Sequence, residues 1–300
     1  MPMALTLSAV AQQMLVQWCM AAQIFSEPAF RQAVGRVGSS QAAETDDEVC
    51  RQEEIQPIVE QINSSMAAFS LELRSCMDQT SGERMWSLVN TNADDMFKAA
   101  TKYTPNELAM LKALVEGIFT DASGNYAMAL HDALRLGSSI TTVSRTEAEA
   151  LVRRFSRDGW LDDKREGFVV LGSRAIIELQ SVFNLGFGDY VRLCSLCKEM
   201  ATRGLACSEC LEAVVHPYCA ERVAEASGQL TCPACHQRIR QPRRFGPGER
   251  GVPHSAPAAG GGEKNGSDAE ESDIEQASEE PATQSIKRLR INDDDDDDGD

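Results

Sequence analysis

Three hundred residues leave room for two or three modest domains, and 42 % hydrophobic side chains give them material for cores. The formal charge of −17 argues against a strongly basic nucleic-acid binder. No apolar run is long enough to cross a bilayer as a helix, so no membrane partner is expected.

The first 26 residues carry no charged side chain. Ala9-Val10-Ala11 has the small-residue look of a cleavage site. The apolar run before it is short, however, no basic segment leads it, and Gln12, Gln13 and Gln17 interrupt the apolar residues beyond it. An amphipathic core helix over Ala9–Ile24 is the expectation. A second helix comes at Glu27–Val34, capped by Ser26, and a third near Ile55–Ala67. A hairpin closes this region: Phe69–Arg74, a Ser81-Gly82 turn, then Met85–Val89.

Residues 101–182 carry the same plan more clearly. Thr104-Pro105-Asn106-Glu107 is a capping box with proline at the first helical position. Leu108, Leu111, Leu114, Val115 and Ile118 then form an apolar stripe. A polar, glycine-containing break spans Asp121 to Asn125, and a short helix is expected over Ala127–Leu136. Ser144-Arg145-Thr146-Glu147 is a second capping box, opening a helix that buries Ala148, Leu151, Val152 and Phe155. Trp160-Leu161 and Phe168–Leu171 are read as strands around a charged loop. Three helices and a hairpin make a winged-helix pattern. The helix Ser144–Asp158 lies where a recognition helix would, with Arg153 and Arg157 opposite the apolar stripe and Arg154 beside them. Together with Lys164 and Arg165 on the wing they are candidate DNA contacts. The competing reading is a solvated face diluted by Glu147, Glu149 and Asp158, on winged helices used mainly for protein docking. His131, in the short helix, is read as structural.

Of ten cysteines, seven fall with one histidine inside 42 residues. Cys194, Cys197, Cys207, Cys210, His216, Cys219, Cys232 and Cys235 form four pairs, each with two residues between, the spacing that lets two side chains grip one tetrahedral ion. Four pairs imply two zinc ions. So short a segment buries too little apolar surface to fold alone, so metal must supply much of its folding energy. Consecutive pairs holding one ion each, or alternate pairs in a cross-brace, both satisfy the spacing. Cys19, Cys50 and Cys76 lie outside the frame and read as buried thiols, consistent with a reducing compartment. Residues 241–300 hold 16 acidic and 7 basic side chains, including the run Asp293–Asp298, and are expected to be a disordered acidic tail. Lys287–Arg290 is a short basic stretch of the kind found in nuclear signals.

The frame resembles RING and PHD modules, and that resemblance implies the cross-brace: Cys194, Cys197, His216 and Cys219 around one zinc, Cys207, Cys210, Cys232 and Cys235 around the other. Leu230 stands where PHD fingers carry tryptophan, and Tyr190 and Tyr218 alone offer aromatic faces for a methyl-lysine cage. Leu196 and Pro233 match the RING pattern, whereas the expected helix Cys219–Ala226 lacks tryptophan and His236 comes after the last ligand where many RINGs carry a basic residue. With the upstream stretches Ile55–Ser64, Trp86–Asn90, Thr104–Leu114 and Trp160–Gly172, the chain over about residues 45–240 is similar to the RING-bearing non-SMC element one family of the SMC five/six chromosome complex. The expected organisation is an α+β chain: mostly helical tandem winged-helix domains at 1–100 and 101–188, a RING-like module at 189–240, and the compositional tail at 241–300, which, like the far N-terminus, takes no part in the resemblance. The resemblance implies a nuclear, chromosome-associated subunit in DNA repair and recombination, with a MAGE-type partner and a kleisin subunit. Its activity would be RING-type ubiquitin transfer without a nucleophile of its own, a conjugating enzyme docking on Leu196, Val223 and Pro233. The alternative is a silent adaptor whose zinc module and winged helices serve assembly or DNA contact.

Overall fold

The computed structural model describes residues 6–38, 50–91, 102–140, 143–163 and 167–249. Their elements run α1 (Ala9–Ala22), β1 (Phe25–Ser26), α2 (Glu27–Gly38), α3 (Gln52–Met66), β2 (Leu71–Met77) and β3 (Arg84–Asn90). Then come α4 (Pro105–Phe119), β4 (Ala127–Ala129), α5 (Leu130–Ile140), α6 (Arg145–Arg157), β5 (Leu161–Asp162) and β6 (Phe168–Leu171). The last are α7 (Ser173–Glu178), α8 (Gln180–Gly186), β7 (Gly204–Ala206), β8 (Val214–Val215), α9 (Pro217–Ser227) and β9 (Arg243–Phe245). The fold is α+β, and no described helix is long and apolar enough to cross a membrane.

The order helix–strand–helix–helix–strand–strand occurs twice, with sheet orders β1-β3-β2 and β4-β6-β5, all antiparallel. Each half therefore adds a short strand to the expected three helices and hairpin. In the second half that strand overturns the expected helix start at Ala127, because Ala127–Ala129 pair with Phe168–Val170 before α5 begins at Leu130. Both capping boxes form as their sequences require. Thr104 and Ser144 accept from the backbone N–H groups of Glu107 and Glu147, whose carboxylates return to the cap N–H groups.

The first half has its own core, built on Leu15, Phe30, Ile58, Ile62 and Trp86. The second core is continuous from α4 and α6 through α7 and α8 into the cysteine-rich region, joining Leu114, Phe155 and Phe183 to Met200, Val215, Cys219 and Phe245. Phe119 stacks on Phe183 with ring centroids 4.3 Å apart, and the Arg192 guanidinium lies 5.1 Å above the Phe245 ring. Strand β9 pairs with β7 in the sheet β8-β7-β9, so ordered chain runs past residue 240, where the tail was expected to begin. The remainder of that expected tail, with Asp293–Asp298 and Lys287–Arg290, lies outside the described residues.

Two polar junctions tie the first half to the rest of the chain. At one, Arg174 and Glu178 of α7 form a buried ion pair. Glu178 accepts from Ser87 Oγ on β3, and Arg174 donates to the Gln23 side chain and lies 4.4 Å from the Trp160 ring. At the other, the β2–β3 turn reaches the cysteine-rich region. There Gln79 and Thr80 bond to Met200, Thr202 and Arg203.

Candidate metal centres

Three of the four ligand pairs share one backbone design. After each C-x2-C the next residue, Lys198, Leu211 or His236, is left-handed, with φ of 65°, 58° and 58°. Its N–H returns to the carbonyl of the first cysteine: Lys198 to Cys194 at 2.8 Å, Leu211 to Cys207 at 3.0 Å, and His236 to Cys232 at 3.0 Å. This tight turn points both thiols and several N–H groups at one spot. The fourth pair is built differently. His216 is the residue before α9, Pro217 takes the first helical position, and Cys219 lies within the first turn.

The four pairs combine alternately. Ligand atoms of Cys194, Cys197, His216 and Cys219 lie within 4.8 Å of one another, as do those of Cys207, Cys210, Cys232 and Cys235. His216 Nδ1 faces the sulfurs, 3.3 Å from Cys197 Sγ, while Nε2 lies 3.1 Å from the Met200 carbonyl. That leaves Nε2 protonated and the Nδ1 lone pair free for a metal. In the second cluster Cys207 and Cys235 sulfurs are 3.7 Å apart, and Cys210 and Cys232 are 3.8 Å apart.

The electrostatics ask for a cation. Burial disfavours the Cys194 thiolate, yet the adjoining His216 side chain and hydrogen bonds from the backbone N–H groups of Cys197, His216 and Leu196 bring its pKa down to about 6. Burial and the neighbouring Cys194 and Cys197 charges push Cys219 up to about 12. Backbone N–H groups of Ala213 and Glu212 bring Cys210 down to about 7. Thiols this close cannot all ionise unless positive charge sits among them. Soft sulfur with at most one imidazole, four donors per cluster and no carboxylate fits a four-coordinate soft or borderline ion and disfavours calcium or magnesium.

The other sites predicted from sequence fall elsewhere. Leu196 and Val223 are half-buried and Pro233 is exposed. Arg153 is exposed and paired with Glu149 at 2.5 Å. Arg154 is occupied: it meets Glu107 at 2.8 Å, donates to the Lys102 carbonyl, and lies 4.8 Å from the Tyr103 ring centroid. Arg157 lines a cleft whose walls also carry Asp78, Asp162 and Asp163. Lys164 and Arg165 lie outside the described residues. His131 is exposed beside Asp132. Cys19 and Cys50 are buried and Cys76 half-buried, with burial pushing Cys19 and Cys76 up to about 12. Sequence reasoning missed Met200, whose carbonyl faces His216, and Gln79, which bonds that carbonyl, and it named Tyr218 only as an aromatic face, not as the neighbour of His216. The Tyr218 ring stacks on the imidazole at 4.8 Å, and i+2 spacing at a helix start was the only signal for it.

Comparison with known proteins places these features in a family. The model described as Nse1 non-SMC component of SMC5-6 complex matches residues 12–179, beginning well before residue 45, where the sequence resemblance was placed. A RING-like domain matches residues 194–235. The human Non-structural maintenance of chromosomes element 1 homolog is 26 % identical over 188 residues, covering 61 % of this chain and 68 % of that protein. The Schizosaccharomyces pombe Non-structural maintenance of chromosomes element 1 is 23 % identical over 175 residues, with coverages of 58 % and 73 %. A chain of a solved Nse1-Nse3-Nse4 complex superposes with a TM-score of 0.64 at 22 % identity, covering 79 % of this chain and 99 % of that one. With its family match spanning more than half its length and its cross-braced clusters inside the RING-like match, the chain belongs to the family of Nse1 non-SMC components of the SMC5-6 complex.

Proposed function

We propose that this chain is a RING-type ubiquitin ligase subunit of an SMC5-6 complex, working in the nucleus in DNA repair and recombination. Its tandem winged-helix halves dock a MAGE-type subunit, corresponding to Nse3, and the assembly includes a kleisin, corresponding to Nse4. The solved relative in an Nse1-Nse3-Nse4 complex supports this partnership. Cys194, Cys197, His216 and Cys219 hold one zinc ion, and Cys207, Cys210, Cys232 and Cys235 the second. Zinc here supplies folding free energy and ligand charge balance, not reaction chemistry.

The observation that carries the ligase reading is the cross-brace itself. It fixes the Leu196 loop, α9 with Val223, and the Pro233 loop in one rigid body, the three places where a conjugating enzyme is expected to dock. Transfer is then a positioning effect: the module holds the ubiquitin thioester in a reactive pose while the conjugating enzyme supplies the bond. The second reading, a silent adaptor, draws support from His236. Its left-handed backbone, at φ 58°, closes the last knuckle, and it stands where many active RINGs place arginine or lysine.

Discharge of ubiquitin from a charged conjugating enzyme, with and without co-expressed MAGE-type partner, tests the proposal. Partner-stimulated discharge that Leu196→Ala removes is expected. A stable partner complex with no discharge across a broad enzyme panel would leave the adaptor.

A further inference from the structure

The first metal cluster is not held by its own module alone. The β2–β3 turn, residues Asp78–Glu83 of the first half, is closed by Asp78 N–H bonding the Glu83 carbonyl and Gly82 N–H bonding the Asp78 carbonyl, both at 2.8 Å. It extends over residues 200–203 and reaches both supports of His216. On one side, Gly82 packs against Tyr218: a methyl group at its α-carbon would sit 3.5 Å from Tyr218 Cβ. Tyr218 in turn stacks on the imidazole, 4.8 Å between centroids and 12° between planes. On the other side, Gln79 reaches the carbonyl that orients the ring.

The Gln79 amide is used at both ends. Its Oε1 accepts from the N–H groups of Thr202 at 2.8 Å and Arg203 at 3.1 Å, and from Thr202 Oγ1 at 3.2 Å. Its Nε2 donates to the Met200 carbonyl at 2.9 Å. Turning the amide over would set NH2 against two N–H donors and oxygen against a carbonyl, so its orientation is determined. Met200's oxygen has two lone pairs. Gln79 Nε2 takes one, and His216 Nε2–H takes the other at 3.1 Å. Met200 itself is 6 % exposed and bridges to Leu193 in the loop that carries Cys194 and Cys197.

We infer that Gln79 is a positioning residue for the first metal centre. Through the Met200 carbonyl it fixes the tautomer and ring angle of His216, so the N-terminal half of the chain sets how tightly that cluster, and not the second, holds its ion. The inference rests on the metal reading above. Groups that hydrogen-bond a ligating histidine commonly change metal affinity by about 10–100-fold when altered. One bond further out, the low end of that range, roughly tenfold, is expected.

The full chain loaded with cadmium-113 provides the test, because a three-sulfur, one-nitrogen site and a four-sulfur site give separate resonances. Gln79→Glu keeps an acceptor for Thr202 and Arg203 but has no donor for Met200, and sets lone pairs against its carbonyl. The expected result is a shifted first-cluster resonance and roughly tenfold faster release of that ion to a chelator, with the second cluster unchanged. Thr80→Ala, which removes only the turn's 2.9 Å bond to Arg203 Nη1, is expected to leave both clusters at wild-type rates. Two bound ions released at wild-type rates, or both accelerated equally, would overturn the inference alone. A chain binding no ions would overturn the metal reading with it. Should Gln79→Glu fail to fold, nitrogen-15 spectra of the unaltered chain decide: Nε2–H with Nδ1 on the metal is expected, and the reverse tautomer refutes the proposal.

Discussion

Arg174 and Glu178 form an ion pair of 2.5 Å one helical turn apart in α7, with side chains only 4 % and 5 % exposed. Burial disfavours the Glu178 carboxylate and holds its pKa above the usual range in spite of the Arg174 charge and the hydrogen bonds from Arg174 and Ser87. Removing one member of such a pair strands the other, at a cost of about 3–5 kcal/mol. Arg174→Met is therefore expected to lower the urea midpoint sharply. Arg174→Met with Glu178→Leu is expected to recover much of the loss, because no buried charge then remains. A double mutant no more stable than Arg174→Met would show that the pair's contacts, not its stranded charge, set the cost.

Asp78 gives the fold a pH dependence. Burial pushes its carboxyl up, but the N–H groups of Ser81 and Thr80 and the hydroxyls of Ser173 and Ser81 together hold it below the ordinary aspartate range. A depressed carboxylate adds stability that is complete above the unfolded value and is lost as pH falls through the folded one. Between pH 5 and pH 3, Asp78→Asn is expected to show a shallower stability loss than the wild-type chain, measured by urea titration at each pH.

Chelation probes the second junction from the metal side. Removing both ions is expected to erase amide exchange protection in β7, β8, α9 and β9. It should also loosen the Asp78–Glu83 turn that rests on them, while α1, α3 and the body of β2–β3 stay protected. Unchanged protection across residues 194–245 after complete metal removal would refute the dependence of this region on metal.

The three arginines of α6 separate by what they already touch. Arg154→Ala is expected to cost about 1–2 kcal/mol, since it strands Glu107 and uncovers Tyr103. Arg153→Ala, with one exposed partner, is expected to stay within about 0.5 kcal/mol. If α6 meets DNA, then Arg153→Ala and Arg157→Ala should lower both affinity and salt dependence without lowering stability. Binding that does not respond to either substitution would place any DNA contact elsewhere.

Phe245, 1 % exposed, sits behind β7 under the Arg192 guanidinium. Phe245→Ala is expected to destabilise the chain by about 3–5 kcal/mol, read from thermal unfolding of the metal-loaded protein.

Much of this was legible where the sequence carries local signals. Thr104–Glu107 and Ser144–Glu147 announce their helices because capping is a contact within four residues. The ligand spacing announces two four-donor clusters because a knuckle is equally local. What stayed hidden depends on distant pairing. Strands β1, β4 and β9 are two or three residues long, too short for alternation to register, and exist only because β3, β6 and β7 offer an edge. Arg174 and Glu178 carry no signal beyond the i,i+4 spacing that any surface pair shows, and it is β3 and Trp160 that enclose them. Gln79 had no signal at all, since a polar residue in a turn is what any hairpin shows. Its role is created by residues more than 120 positions away.

The continuous core from α4 to β9 bears on how this chain can be taken apart. Phe183, Met200, Val215 and Phe245 pack in one body, so a fragment ending at the last ligand would leave β7 without β9, and one beginning at the first ligand would lose the wall that α8 supplies. A cassette cut at the outermost cysteines and grafted elsewhere would expose that wall to water. Exchange of this region between relatives is expected to succeed only when the cut falls before α7 and after Phe245, and when the β2–β3 turn travels with it.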